Sequence, residues 1–265
     1  MTLPAGPSPP LPAARLSRIE DAGLNASAPP QQRWIDGWLV RFSPGKAKRA
    51  RCINALADGR LPLAERLAVC EAVFAAATLP LFVRITPFTQ PAKLDAWLEQ
   101  RGFFRIDDTC VMAAAELPQP PEPIPPSLGL HRLSTTDYAE QVGRLRGSSP
   151  EQRLAHAQRL AASPVPYQGW ALRRREDGQL LACGQMAAEA DMVGLYDVFT
   201  DPLHRGQGLA RQLCGHLLGM ARQTGARVAY LQVDASNEAA RAVYRRLGFA
   251  DAYSYHYRTP DAGAR

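Results

Sequence analysis

The sequence predicts a mixed α/β (α+β) chain of two similarly built domains, each a mixed central sheet flanked by helices. Three observations predict it. Residues 193–199, rich in β-branched and aromatic side chains, lead through a glycine loop into Leu209, Leu213, Leu217 and Met220 at helical spacing. A second strand-to-helix unit follows at once, residues 228–233 and then a helix closed by Leu247-Gly248-Phe249. Sliding the chain along itself by 146 residues sets Leu63 on Leu209, Ala64 on Ala210, Leu67 on Leu213, Ala75 on Ala221 and Gly102-Phe103 on Gly248-Phe249 without a gap. That is the mark of a duplicated architecture.

Taken in order, residues 1–15 carry Pro4, Pro7, Pro9, Pro10 and Pro12, a density that suits neither helix nor sheet, and are expected to be a disordered tail. Residues 16–24 form a short helix. Residues 34–42 and 50–54 are two strands joined by a turn at Ser43-Pro44-Gly45, with Lys46, Lys48, Arg49 and Arg51 as a solvated basic face. A helix over 63–77, a strand over 81–85, a helix over 91–101 and a strand over 103–113 complete a first domain at 16–117. Pro118, Pro120, Pro121, Pro123, Pro125 and Pro126 then make an extended, semi-rigid linker at 118–127. The second domain, 128–265, opens with a strand over 128–133 and a helix over 135–146. Ser149-Pro150-Glu151 starts another helix with a cap, a first-turn proline and an acid at the positive end. Residues 170–174 and 179–188 make a hairpin about Glu176-Asp177-Gly178. The two strand-to-helix units and a final strand over 252–257 close the domain. Tyr253, Tyr255 and Tyr257 share one face of that strand and read as core.

The loop Thr200-Asp201-Pro202-Leu203-His204-Arg205-Gly206-Gln207-Gly208-Leu209-Ala210-Arg211 carries the chemistry. The first turn of a helix leaves backbone N–H groups unpaired at the positive end of its dipole, which makes an anion site. Gly206 and Gly208 lack a Cβ and let a phosphate approach the main chain, with Arg205 beside it as a cation. The loop lacks the Gly-Lys-Ser/Thr ending of a nucleoside-triphosphate loop and the G-x-G-x-x-G of a dinucleotide fold.

The spacing Arg-x-x-Gly-x-Ala at 205–210 resembles the acyl-CoA loop of the GNAT superfamily of N-acetyltransferases. The series L-x-V-x-x-S-N-x-x-A-x-x-x-Y-x-x-x-G-F, from Leu231 to Phe249, is similar to the second half of that family's signature. The resemblance implies an acetyl-CoA-dependent N-acetyltransferase of tandem GNAT type with a degenerate first half and a small-molecule amine as acceptor. It implies that the coenzyme lies in a V-shaped split between the fourth and fifth strands and that the amine attacks the thioester directly, with no metal. The N–H groups of Arg205, Gly206, Gln207, Gly208, Leu209, Ala210 and Arg211 would hold the diphosphate. Strand edges at Val198, Phe199 and Thr200 would pair with the pantetheine amides, and Asn237 would add to the same site or cap its helix.

Tyr244 is the expected proton donor to the departing thiolate. A phenol with a pKa near 10 stays protonated beside a thiol near 8.5. The proton acceptor is less evident. Relatives place a glutamate at positions that match Gly194 and Gln232 here, neither of which takes a proton from an ammonium. Asp197 is the preferred substitute, acting through water, and Asp234 and His256 are further alternatives.

A formal net charge of +6 favours acidic ligands such as coenzyme A and also suits RNA. Two other readings are therefore kept: a non-catalytic acyl-CoA-binding module, for which the missing glutamates speak, and an aminoacyl-tRNA-dependent transferase. An intact coenzyme loop argues against the latter, and nucleic acid is not expected as a partner. Five scattered cysteines without a C-x-x-C pair fit a reducing compartment. The most apolar span, 67–83, is broken by Glu71 and Pro80, and the start of the chain lacks a signal-peptide pattern, so a cytoplasmic protein is expected.

The chemistry is not repeated in the first half. At the offset positions Arg205, Gly206 and Gly208 become Gly59, Arg60 and Pro62, Asn237 becomes Pro91, and Tyr244 becomes Leu98. Proline removes an N–H donor and leucine has no proton to give. The first half is expected not to bind acyl-CoA by this loop, and instead to pack on the active half and wall the acceptor site.

Overall fold

A computed structural model describes residues 11–44, 47–118 and 121–263. Gly45 of the expected turn, Lys46 of the basic face, Pro120 of the linker and residues 1–10 of the expected tail lie outside the described residues. In chain order the first elements are α1 (Ala13–Ala26), β1 (Gln32–Ile35), β2 (Trp38–Arg41), β3 (Ile53–Ala55), α2 (Leu63–Ala76), β4 (Val83–Ile85), α3 (Leu94–Glu99) and β5 (Phe104–Ala114). They are followed by β6 (Leu128–Leu133), α4 (Thr135–Leu145), α5 (Pro150–Ala161), β7 (Tyr167–Arg174), β8 (Leu180–Glu189), β9 (Met192–Thr200), α6 (Leu209–Gln223), β10 (Val228–Asp234), α7 (Glu238–Arg245) and β11 (Ala250–Thr259).

Contacts group the chain into two compact units. The larger holds residues up to 26 together with 110–252, and the smaller holds 27–109 and 253–265. The partition at the proline-rich 118–127 segment is a different one, by duplicated halves, and stands as a separate proposal.

In the larger unit β6, β7, β8 and β9 run antiparallel in succession and β10 joins β9 in parallel. Leu213, Leu217 and Leu218 of α6 are fully buried against β8 and β9, each contributing about 1.5–3 kcal/mol over an exposed leucine. Helix starts are fixed as the sequence predicts. Ser134 accepts from the Asp137 N–H at the head of α4, and Ser149 with Gln152 forms a reciprocal capping box ahead of Pro150 in α5. Helix α1 also belongs to this unit. It begins at Ala13, not at residue 16, because the Pro12 carbonyl accepts from the N–H groups of Arg15 and Leu16 and so starts the helix as the prolines end. Its residues Arg18 and Asn25 bind Asp191 and Glu189, and the Tyr167 hydroxyl donates to the Ala26 carbonyl at 2.8 Å.

In the smaller unit β1, β2 and β3 form an antiparallel meander and β4 runs parallel to β3. The strand expected over 34–42 is in fact a hairpin. Ile35 pairs with Trp38 across Asp36 and Gly37, both at positive φ (42° and 85°), a two-residue turn of the kind Asp-Gly favours. The apolar run of Trp34 to Phe42 hid that turn.

The hydrogen-bonded strand order is β1-β2-β3-β4-β11-β5-β10-β9-β8-β7-β6, one mixed sheet of 11 strands in place of the two sheets expected. The reason lies in the closing strands. β11, expected to complete the second half, pairs antiparallel with β4 through His256 with Ile85, Tyr257 with Arg84 and Arg258 with Val83, and β5 is the neighbour of β10. An open strand edge accepts any strand of suitable length and pattern, so adjacency in sequence does not decide which one fills it. The 146-residue repeat is otherwise kept. Shifted by that amount, α2 falls on α6, β4 on β10, α3 on α7 and β5 on β11.

Candidate active site

Strands β9 and β10 are paired from Met192 with Val228 to Leu195 with Leu231, and there the pairing stops. Beyond it β9 carries a bulge. Cys183 of β8 faces Phe199, Gln185 faces Tyr196, and Asp197 between them takes a φ of 49°, rare for a residue with a side chain. The bulge turns β9 out of register with β10 and leaves the main chain of Val198, Phe199 and Thr200 free of β10. Past the end of β9, Gly206 and Gly208 adopt φ of 78° and 77°, and a Cβ on either would meet nothing within 4 Å. The glycines are thus needed for the backbone turn, and the space above them is open. Among the described residues none of the N–H groups from Gly206 to Arg211 donates to another part of the chain. Gly208 provides α6 with no side-chain cap. The arrangement fits a diphosphate at the loop and an amide-bearing arm along β9.

The side chain of Asp197, a quarter exposed, points at α4 and α5. Its Oδ1 lies 3.0 Å from Arg146 Nη1 and its Oδ2 lies 3.1 Å from His156 Nε2, with Gln185 Nε2 donating to Oδ2 at 3.3 Å. The buried Tyr138 hydroxyl donates to its carbonyl at 2.7 Å, which pins the bulge. Burial pushes the Asp197 carboxyl up, but the His156 hydrogen bond and the Arg146 charge outweigh it and hold it well below the usual carboxylate range. A carboxylate so held is a poor proton acceptor at neutral pH. Tyr244 of α7 packs on Phe249 with ring centroids 5.9 Å apart. Burial raises its phenol well above the usual range, so it is a neutral hydroxyl. That hydroxyl makes no hydrogen bond among the described residues and is not sealed from solvent.

Residues 130–249 match the acetyltransferase (GNAT) family model. They form a GNAT N-acetyltransferase domain. The chain is 24% identical over 230 residues to the uncharacterized N-acetyltransferase YobR of Bacillus subtilis (strain 168), covering 86% of this chain and 91% of that one. It is 40% identical over 80 residues to the [ribosomal protein bS18]-alanine N-acetyltransferase of Escherichia coli (strain K12), which is 28% of this chain and 54% of that enzyme. In fold it is similar to a GCN5-related N-acetyltransferase from Kribbella flavida (TM-score 0.65, 20% identity, 94% of this chain and 96% of that one). It is similar in the same way to a tandem GNAT protein from the clavulanic acid biosynthesis pathway (TM-score 0.60, 16% identity, 76% and 70%).

The remaining predicted residues fall as follows. Arg205 donates to the Thr200 carbonyl at 3.4 Å and lies 5.6 Å over the Phe199 ring, at the mouth of the loop. Asn237 caps α7 by accepting from the Ala240 N–H at 3.0 Å. Asp234 accepts from the N–H and hydroxyl of Ser236 and braces the same turn. His256 lies in the smaller unit, 3.0 Å from Asp95 Oδ1, where Arg258 also binds. At Gly194 a side chain would not fit. Its Cβ would stand 2.8 Å from both Tyr196 Oη and Tyr230 Cζ, and the two tyrosine hydroxyls are themselves hydrogen bonded at 2.8 Å. Gln232 meets α1, its Nε2 only 3.0 Å from where a Cβ on Gly23 would lie. Sequence reasoning missed Tyr138, Arg146 and His156, which stand 40 or more residues before Asp197 and share no spacing with it. No described helix is long and apolar enough to cross a membrane.

Proposed function

We propose that this GNAT N-acetyltransferase takes acetyl-CoA as donor and a primary amine of a small molecule as acceptor, with the coenzyme held in the split between β9 and β10. The observation that carries the reading is the parting of those strands after Leu195 and Leu231 beside a loop whose amides, from Gly206 to Arg211, have no partner among the described residues. Those amides hold the diphosphate, Arg205 adds a cation, and Val198, Phe199 and Thr200 offer main-chain groups to the pantetheine arm. Asn237 acts here by setting the start of α7, which in turn sets where Tyr244 points.

Tyr244 gives its proton to the sulfur as the C–S bond breaks. Its raised pKa keeps it protonated, and its unbonded hydroxyl is free to turn toward the leaving atom. Asp197 acts as an orienting carboxylate. Its Oδ2 stands 3.1 Å from His156 Nε2, and the other ring nitrogen, Nδ1, has no hydrogen bond among the described residues and is not sealed from solvent. His156 is then the group that receives the proton of the incoming ammonium, with the Asp197 carboxylate beside it to stabilise the charge it gains.

A second reading of the acceptor rests on the 80-residue likeness to an enzyme named for acetylating the alanine of ribosomal protein bS18. On that reading the amine is a protein amino terminus. Thiol release from acetyl-CoA, followed with a panel of small amines and with alanine-initiated peptides, separates the two. The Tyr244→Phe variant is expected to release thiol at least about tenfold more slowly at unchanged coenzyme affinity. Full activity in that variant removes Tyr244 from the mechanism, and no acetyl-CoA binding removes the proposal as a whole.

A further inference from the structure

The 146-residue repeat places a counterpart of the coenzyme loop in the smaller unit, at residues 59–62 ahead of α2. Its two corresponding N–H groups are not free. Arg60 donates to Asp36 Oδ1 at 2.8 Å and Leu61 donates to Asp36 Oδ2 at 2.9 Å. In the coenzyme loop the matching amides, Gly206 and Gln207, donate to nothing among the described residues.

A buried cation completes the first-half site. Arg66, on the first turn of α2 and 3% exposed, sets its Nε 2.9 Å from Asp36 Oδ2 and donates from Nη2 to the Leu61 carbonyl at 2.9 Å. Its Nε and Nη1 are both buried and neither has a hydrogen-bond partner among the described residues, the Nε meeting Asp36 as an ion pair only. The guanidinium sits over the Trp38 ring, 4.9 Å from its centroid, and presses on the loop so closely that a Cβ on Gly59 would stand 2.5 Å from Arg66 Cζ. Two amides, a buried guanidinium with N–H groups to spare and a glycine with no room for a side chain are the makings of an anion site. What occupies it is a carboxylate from the Asp36-Gly37 turn. The amides hold that carboxyl below its usual range, with a smaller contribution from the Arg66 charge.

We propose that the first half retains the anion cradle of the duplicated fold and that Asp36 is its permanent occupant, standing where a phosphate would sit. The first half is closed to diphosphates by its own chain, and each polypeptide loads one acetyl-CoA. Pro62, which the sequence marks as a lost donor, is the N-cap of α2. The amides before it are intact and engaged, so the loss of binding there comes from occupancy.

The probe is inorganic pyrophosphate, which needs no acceptor and no turnover, so the result is independent of the proposed reaction. In the wild-type chain acetyl-CoA is expected to titrate calorimetrically at one per chain, and pyrophosphate to leave the Arg60 and Leu61 amide resonances in place. In Asp36→Ala, pyrophosphate is expected to shift those two resonances and to raise Tm by more than it does in the wild type. Asp36→Asn, which keeps the shape and removes the charge, is expected to respond in the same direction. Should a variant be unfolded alone, recovery of its circular dichroism on adding pyrophosphate supports the proposal. Two coenzymes per wild-type chain, pyrophosphate shifts at Arg60 and Leu61 in the wild type, or variants whose amides or fold ignore pyrophosphate would each overturn it.

Discussion

Gly208→Ala tests the coenzyme loop without needing to know the acceptor. Gly208 sits at φ 77° with open space where a methyl group would stand, so alanine there meets no clash and acts only through the backbone. Holding the left-handed conformation costs a residue with a Cβ about 1–2 kcal/mol. Among the described residues no side chain and no backbone hydrogen bond holds the loop amides, so the free protein relieves that strain by letting the turn relax. The binding-competent turn must then be restored when the coenzyme arrives. At 1.4 kcal/mol per decade, the dissociation constant of acetyl-CoA is expected to rise by about 5- to 30-fold. Titration calorimetry measures this, with circular dichroism and thermal melting as the check on fold. An unchanged affinity, or a lowered Tm with binding intact, would show that the left-handed turn does not position the amides for the diphosphate.

Other perturbations follow from the same geometry. Asp197→Asn removes the counter-charge of Arg146 and is expected to cost about 1.5–3 kcal/mol at neutral pH, as for a hydrogen bond to a charged group. The Asp197 carboxyl is held low in the folded chain, so its contribution is full above the unfolded carboxyl pKa near 3.9 and is lost as pH falls through the folded value. Urea melts of wild type and variant should therefore differ at pH 5 and converge in stronger acid, and a gap that widens on acidification would refute the pairing. Leu217→Ala opens a cavity at a fully buried site of α6 and is expected to lower stability by about 2–5 kcal/mol in denaturant melts. Asn237→Ala deletes the α7 cap, a loss of about 1 kcal/mol visible in Tm, and by loosening the helix that carries Tyr244 it should slow thiol release more than it weakens coenzyme binding.

Much of the fold was legible from local pattern. The strand over 128–133 and the helix starts at Ser134 and Ser149 lie where spacing and capping residues put them. The hairpin at Asp36-Gly37 was missed although Asp-Gly is a strong turn signal, because the apolar residues around it read as one strand. Of the candidate site, the loop at 205–211 and the capping Asn237 were readable because each is a contiguous run whose main-chain geometry its own residues dictate. Asp197 was singled out, but its surroundings were not. Nothing about an aspartate in a strand tells that a histidine and an arginine from two earlier helices will draw its pKa down.

By itself, then, the sequence determined the glycine turn, the helix caps, the periodic faces and the repeat that pairs one half with the other. All of these depend on interactions between residues close together in the chain, or on pattern alone. Tertiary structure alone decided that β11 closes against β4, that α1 packs with the larger unit, that Asp36 accepts from the Arg60 and Leu61 amides and that Asp197 meets Arg146, His156 and Gln185. Each of these is a choice among several partners that the local sequence leaves equally suited, and it is made when long stretches of chain fold together and bury the winning pair.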